Sequence, residues 1–125
     1  MYYHGTTKEN SANIQVDGFV LTNKPSHSFG NAVYFTSSKE DAYDYGECVL
    51  EATLDTKYIK AFNKLIDIYD YALERMTSLE DLHNIILEDG FKGFSVTLLN
   101  HHENRLTDVT VVYDTTAILY VNEVK

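Results

Sequence analysis

The sequence predicts an α+β domain built mostly from antiparallel strands, on two observations. Read in order, the elements run strand, helix, strand, strand, helix, strand, two helices and then three strands. Strands gathered at the carboxyl end and joined by short turns do not make the alternating βαβ units of a doubly wound sheet. The second observation is size: 125 residues with no internal repeat, low-complexity tract or linker fit one domain over 1–125.

Met1 to His4 reads as a strand, and Gly5-Thr6-Thr7 as a turn. Thr6 with Glu9 three residues on has capping-box spacing for a short helix over Lys8 to Val16, and Asp17-Gly18 stops it. Phe19-Val20-Leu21 reads as a small strand. Thr22 to Ser28, with the single proline Pro25, reads as a loop.

The stretch FGNAVYFTSSKEDAYDYG, Phe29 to Gly46, is the centre of the chain. It predicts a glycine turn, a strand over Ala32 to Phe35, a serine cap from Ser37 or Ser38, and one short helix with acids in its first turn. A strand that brings Tyr34 to the mouth of a capped helix suits a wall for a flat, anionic ligand. The same pattern also describes an ordinary core strand followed by a surface helix.

ECVLEATLD, Glu47 to Asp55, alternates as a strand, with Cys48, Leu50, Ala52 and Leu54 on one face. Tyr58 to Phe62 reads either as a short strand or as a helix entry. From Lys64 the spacing of Leu65, Ile68, Tyr69, Ala72 and Met76 is helical. Thr77-Ser78-Leu79-Glu80 predicts a capped second helix ending at Asp89-Gly90, with Leu79, Leu82, Ile85 and Ile86 as its apolar face. Phe94 to Leu99 is expected as a strand, Asn100 to Asp108 as a polar loop, and Val109 to Tyr113 and Ala117 to Val124 as the closing strands.

Composition excludes several classes. Nineteen acids against ten bases give a net charge of −9, which disfavours a nucleic-acid partner, since such binding needs several Lys or Arg on phosphates. No run approaches the ~18 apolar residues of a membrane span, so no membrane partner is expected. MYYHGTTKEN lacks a basic region followed by an apolar core, so no secretory signal is expected. One cysteine, Cys48, leaves no internal disulfide and fits a reducing, cytoplasmic compartment. Ten tyrosines and no tryptophan suit sites that stack flat rings while offering a hydroxyl.

His101-His102-Glu103 is the only dense cluster of metal-ligand types. Adjacent histidines on a loop rarely aim both rings at one ion and no spaced pair completes a site, so no metal is expected. Neither a GxxxxGKS nor a GxGxxG loop is present. His4 ends the first strand beside Gly5 and Thr6, where it could donate to a ribose hydroxyl while Gly5 lets a ligand approach the backbone.

YHGTT near the start, a short helix ending in DGF, then FGNAVYFTSS and AYDYG, resemble the ADP-ribosyltransferase superfamily, in the branch of poly(ADP-ribose) polymerases and diphtheria-type toxins. That branch carries a strand histidine in HG(S/T), here His4-Gly5-Thr6, and a tyrosine in G-x-(G/A)-(I/V)-Y-F, here Gly30 to Phe35. Its second tyrosine looks like Tyr45, and DVTVVYDTTAILYVNEVK resembles the family's closing strands. The resemblance implies a split β-sandwich of two mostly antiparallel sheets with flanking helices. It implies NAD as co-substrate, without a metal, contacted by His4, Gly5, Thr6, Gly30, Tyr34, Phe35, Ser37 and Tyr45.

One departure bears on mechanism. The family's catalytic glutamate falls on Val109. Asp108, brought round by a bulge, and Glu103 on the preceding loop are the two acids offered in its place, with Asp108 favoured. The implied activity is mono-ADP-ribosyl transfer to a macromolecular acceptor, a protein rather than a nucleic acid, in a small phage or bacterial effector. His4 and Tyr34 join the acid as catalytic residues. The alternatives are a catalytically silent NAD-binding or protein-interaction module and an RNA 2′-phosphotransferase-like enzyme, which also begins YHGT.

Overall fold

The computed structural model describes residues 1–21, 29–100 and 105–124. In chain order the elements are β1 (Tyr2–Thr6), α1 (Lys8–Asp17), β2 (Val33–Thr36), α2 (Lys39–Tyr43), β3 (Cys48–Leu54), β4 (Ile59–Ala61), α3 (Leu65–Glu74), α4 (Leu82–Glu88), β5 (Gly93–Asn100), β6 (Arg105–Val112) and β7 (Ile118–Glu123). The class is α+β, as the sequence predicts. No helix among the described residues is long and apolar enough to cross a membrane.

The strands form one seven-stranded sheet in the order β4-β5-β6-β2-β1-β3-β7, where the sequence led us to expect two. Every neighbouring pair is antiparallel except β4 with β5. The two halves meet at a narrow seam. β1 runs beside β3 over five register pairs, from Tyr2↔Ala52 to Thr6↔Cys48, but shares with β2 the single pair Tyr3↔Thr36.

Strand alternation sorts the core onto the two faces of this sheet. Phe94, Val96 and Val111 point to one face, where Ile68 and Ala72 of α3 and Leu82, Ile85 and Ile86 of α4 cover them. Val33, Phe35, Ala52, Leu54 and Val112 point to the other, with Ala117 and the half-buried Phe19 and Leu21. α1 is different: its only buried residue is Ser11, and it lies against β3 and β7.

Several local expectations shift. The cap of α1 is Thr7, whose hydroxyl accepts from the Asn10 amide, not Thr6. Of the two serines offered for α2, Ser38 is the cap, as the sequence allowed. Phe19 to Leu21 pair with no strand. Thr77 spends its hydroxyl on the Asp81 carboxylate at 3.0 Å, and a 3₁₀ turn (Leu79–Asp81) precedes α4 in place of a capped helix start. β6 begins at Arg105, inside the stretch read as a loop.

α3 ends in paired bonds from the Met76 amide to the Leu73 carbonyl and from the Thr77 amide to the Ala72 carbonyl, 2.9 and 3.1 Å. This Schellman geometry puts Met76 at φ +54°, where glycine is the ordinary residue and an L side chain costs about 1 kcal/mol.

Candidate functional site

A cavity of about 690 Å³ opens where β1 and β2 part, and its lining comes from both faces of the sheet. Val33, Phe35 and Phe19 contribute from one side, and Tyr34, Leu98 and Val109 from the other. Continuing the register past Tyr3↔Thr36 would set His4 opposite Phe35. Instead the His4 ring reaches across, and its Nδ1 lies 2.7 Å from the Tyr34 carbonyl oxygen. A carbonyl only accepts, so Nδ1 carries the proton in this bond. Phe19 packs edge-on against His4 at 5.1 Å, with Phe35 at 5.8 Å.

The Tyr34 ring lines the cavity while its hydroxyl is engaged behind it. The hydroxyl donates to the Gly30 carbonyl at 2.9 Å and accepts from the Phe29 amide at 3.1 Å. Tyr113 donates to the Phe29 carbonyl at 2.8 Å. Burial raises the pKa of both phenols, so both stay protonated and able to donate. Gly30 adopts φ +92°, which lets the backbone turn into β2 beneath these bonds.

Gly5 has a different reason to be glycine from the one expected. A Cβ there would lie 1.7 Å from the Ala42 carbonyl oxygen, so the last turn of α2 occupies the space opened by the missing side chain. That packing carries Tyr45 to the cavity, where burial, then Asp41 and Asp44, raise its pKa. α2 is held from below by buried Asp41, which pairs with Arg105 and accepts from Thr107 at 2.5 Å.

Of the residues singled out in the sequence, His4, Gly5, Thr6, Tyr34, Phe35 and Tyr45 line this one cavity. Gly30 supports Tyr34 from outside it. Ser37 and Asp108 are not among the lining residues; they meet on the surface, Ser37 Oγ 3.4 Å from Asp108 Oδ2, with Thr97 donating to Oδ1 at 2.7 Å. The bulge that would bring Asp108 inward is not there, because β6 stays in register with β5 from Arg105 to Val112. Alternation therefore sends Val109 to the cavity and Asp108 away from it. Glu103, with His101 and His102, lies outside the described residues. Among those described, no cluster of three metal-ligating side chains occurs.

The sequence reading missed one wall. Thr7, Asn10, Asn13, Ile14 and Asp17 line the cavity at three- and four-residue intervals, so one face of α1 lies along it. α1 has almost no apolar face, so its sequence reads as a solvated helix and does not mark this wall. Asp17 is the one carboxylate among the described lining residues, and none of them is Lys or Arg.

Comparison of the chain with protein-family models, with curated proteins and with solved structures gives no match.

Proposed function

We propose that this chain is an ADP-ribosyltransferase-type domain that binds NAD in the cavity between β1 and β2 and transfers single ADP-ribose units to a protein acceptor. The observation that carries this reading is the union of His4 and Tyr34: two residues thirty positions apart, singled out by separate motifs, joined by one hydrogen bond on one cavity wall. The volume lies within the range of ligand sites, ~300–1,000 Å³. The narrow β1–β2 seam supports a split-sandwich fold, with the cleft where the halves separate.

In this reading Tyr34 stacks on the nicotinamide and His4 fixes the adenosine-side ribose. The amino end of α1, with Thr7 and Asn10, favours the anionic part of the ligand through its dipole. The bond from nicotinamide nitrogen to ribose C1′ breaks with its electron pair leaving on nicotinamide. The cationic sugar is then taken by an acceptor side chain that gives up a proton. The absence of lysine and arginine from the described lining weakens the RNA 2′-phosphotransferase reading.

A second reading has its own observation. Val109 occupies the wall where the family's acid would stand, and a valine cannot stabilise a developing cation, which favours a silent NAD-binding module. Titration calorimetry with NAD, followed by incubation with labelled NAD and a cell lysate, separates the two. Label on protein supports the transferase, binding without turnover supports the module, and no binding removes both.

A further inference from the structure

We propose that the outer face of α3 is a docking surface for a basic amphipathic helix of a partner protein. α3 buries Ile68, Tyr71 and Ala72 beneath it and leaves Ile66, Tyr69 and Leu73 exposed on its outside, with Met76 just past its end. Their exposures are 57, 47, 71 and 94%. Steps of three and four residues keep Ile66, Tyr69 and Leu73 on one stripe, the spacing by which helices engage one another, and Met76 follows at its carboxyl end. A helix apolar on two faces is ordinarily covered on both, and here only the inner one is.

Met76 is an independent observation. Its φ of +54° is a conformation that glycine adopts without cost, and its side chain is almost wholly exposed. Folding gains nothing from a methionine there. A flexible, polarisable thioether is what an adaptable binding surface uses.

Charge selects the occupant. Asp70 and Glu74 are exposed along one edge of the stripe, and neither forms an ion pair among the described residues. They would meet lysines or arginines beside the apolar positions of a partner helix. A second copy of the chain would bring a molecule of the same net charge, −9, against these acids. None of the stripe residues lines the cavity, so this surface stands independently of the NAD reading.

The test uses the full chain and a fluorescent synthetic peptide of ~15 residues, built from leucines at three- and four-residue intervals and lysines between them. We expect saturable binding, with amide chemical-shift changes gathered on α3. Leu73→Asp should weaken it at least about tenfold. Met76→Gly should weaken it while raising the thermal midpoint by about 3 °C, and the same peptide with glutamate for lysine should not bind. Unchanged affinity in Leu73→Asp, or shifts spread over the whole acidic surface, would reduce the effect to general charge attraction and overturn the proposal. So would a dimer in sedimentation that Leu73→Asp converts to monomer, since the occupant would then be a second copy. A lowered midpoint in Met76→Gly would make Met76 a structural residue instead.

Discussion

His4 Nδ1 donates to the backbone carbonyl of Tyr34 across 2.7 Å, and this bond joins β1 to β2 beyond their one register pair. A side chain thus takes the place of a ladder hydrogen bond at the point where the sheet opens. The partner is a carbonyl that cannot donate, so the Nδ1 proton belongs to the ring, whose plane is fixed by Phe19 and Phe35.

Tyr34 separates ring from hydroxyl. Removing the hydroxyl in Tyr34→Phe leaves the Phe29 amide and the Gly30 carbonyl without this partner and should cost about 1–2 kcal/mol in urea unfolding. If NAD stacks on the Tyr34 ring as proposed, calorimetry should show that Tyr34→Ala weakens NAD binding more than Tyr34→Phe does. Equal losses of affinity in the two variants would mean that the ligand depends on the Phe29–Gly30 turn instead.

Gly5→Ala should be among the most damaging single changes in the chain. The added methyl meets a backbone oxygen, which cannot swing aside as a side chain would. A loss of about 3 kcal/mol is expected, a large share of a small domain's stability. Denaturant midpoints read it directly, and a near-neutral result would mean that α2 lifts off β1 cheaply.

The two positions at the start of the predicted catalytic strand should behave in opposite ways. If the chain turns NAD over, Asp108→Asn should leave the rate unchanged, since Asp108 bonds Ser37 and Thr97 away from the cavity. Val109→Glu should raise nicotinamide release on the order of a hundredfold if the missing charge limits the reaction. Release that stays flat in Val109→Glu, with NAD still bound, would show that this wall does not face the reacting ribose.

Alkaline pH should unfold the chain through its tyrosines. Burial first, and then the hydrogen bond to Asp89 and its charge, push Tyr71 up to about 12. The folded state favours the protonated phenol, so this stability is intact below the ordinary value of 10 and is lost as pH rises from there towards 12. Thermal midpoints across that window should fall less steeply in Tyr71→Phe than in the unmodified chain.

Most of the fold was legible because periodicity reports burial. Phe35, Leu50, Ile68, Ile86 and Phe94 are all buried where alternation or helical spacing places them. What escaped was structure built without an apolar pattern. The outer half of β6 carries exposed Arg105, Leu106 and Asp108 and pairs through its backbone, so it reads as a loop. Phe19 looks like strand material, but its ring is used against His4. At the site, His4 and Tyr34 were legible from motifs, whereas Asn10, Asn13 and Asp17 were not, because polar residues on a helix look like a solvated face wherever that face points. Gly5 lines the cavity as its motif led us to expect, while its packing against Ala42 of this same chain was not legible.

The single register pair between β1 and β2 makes the sheet two plates joined along a seam. His4 and Gly5 have register partners in β3 and none in β2, and the bond that bridges the plates there comes from an imidazole. Loosening that ring should let the plates rock before either one melts, and hydrogen exchange would register the rocking as early loss of protection at the Tyr3–Thr36 seam while the β2–β6 and β1–β3 ladders stay closed. Anything seated in the cavity touches both plates at once and acts as a wedge against that motion.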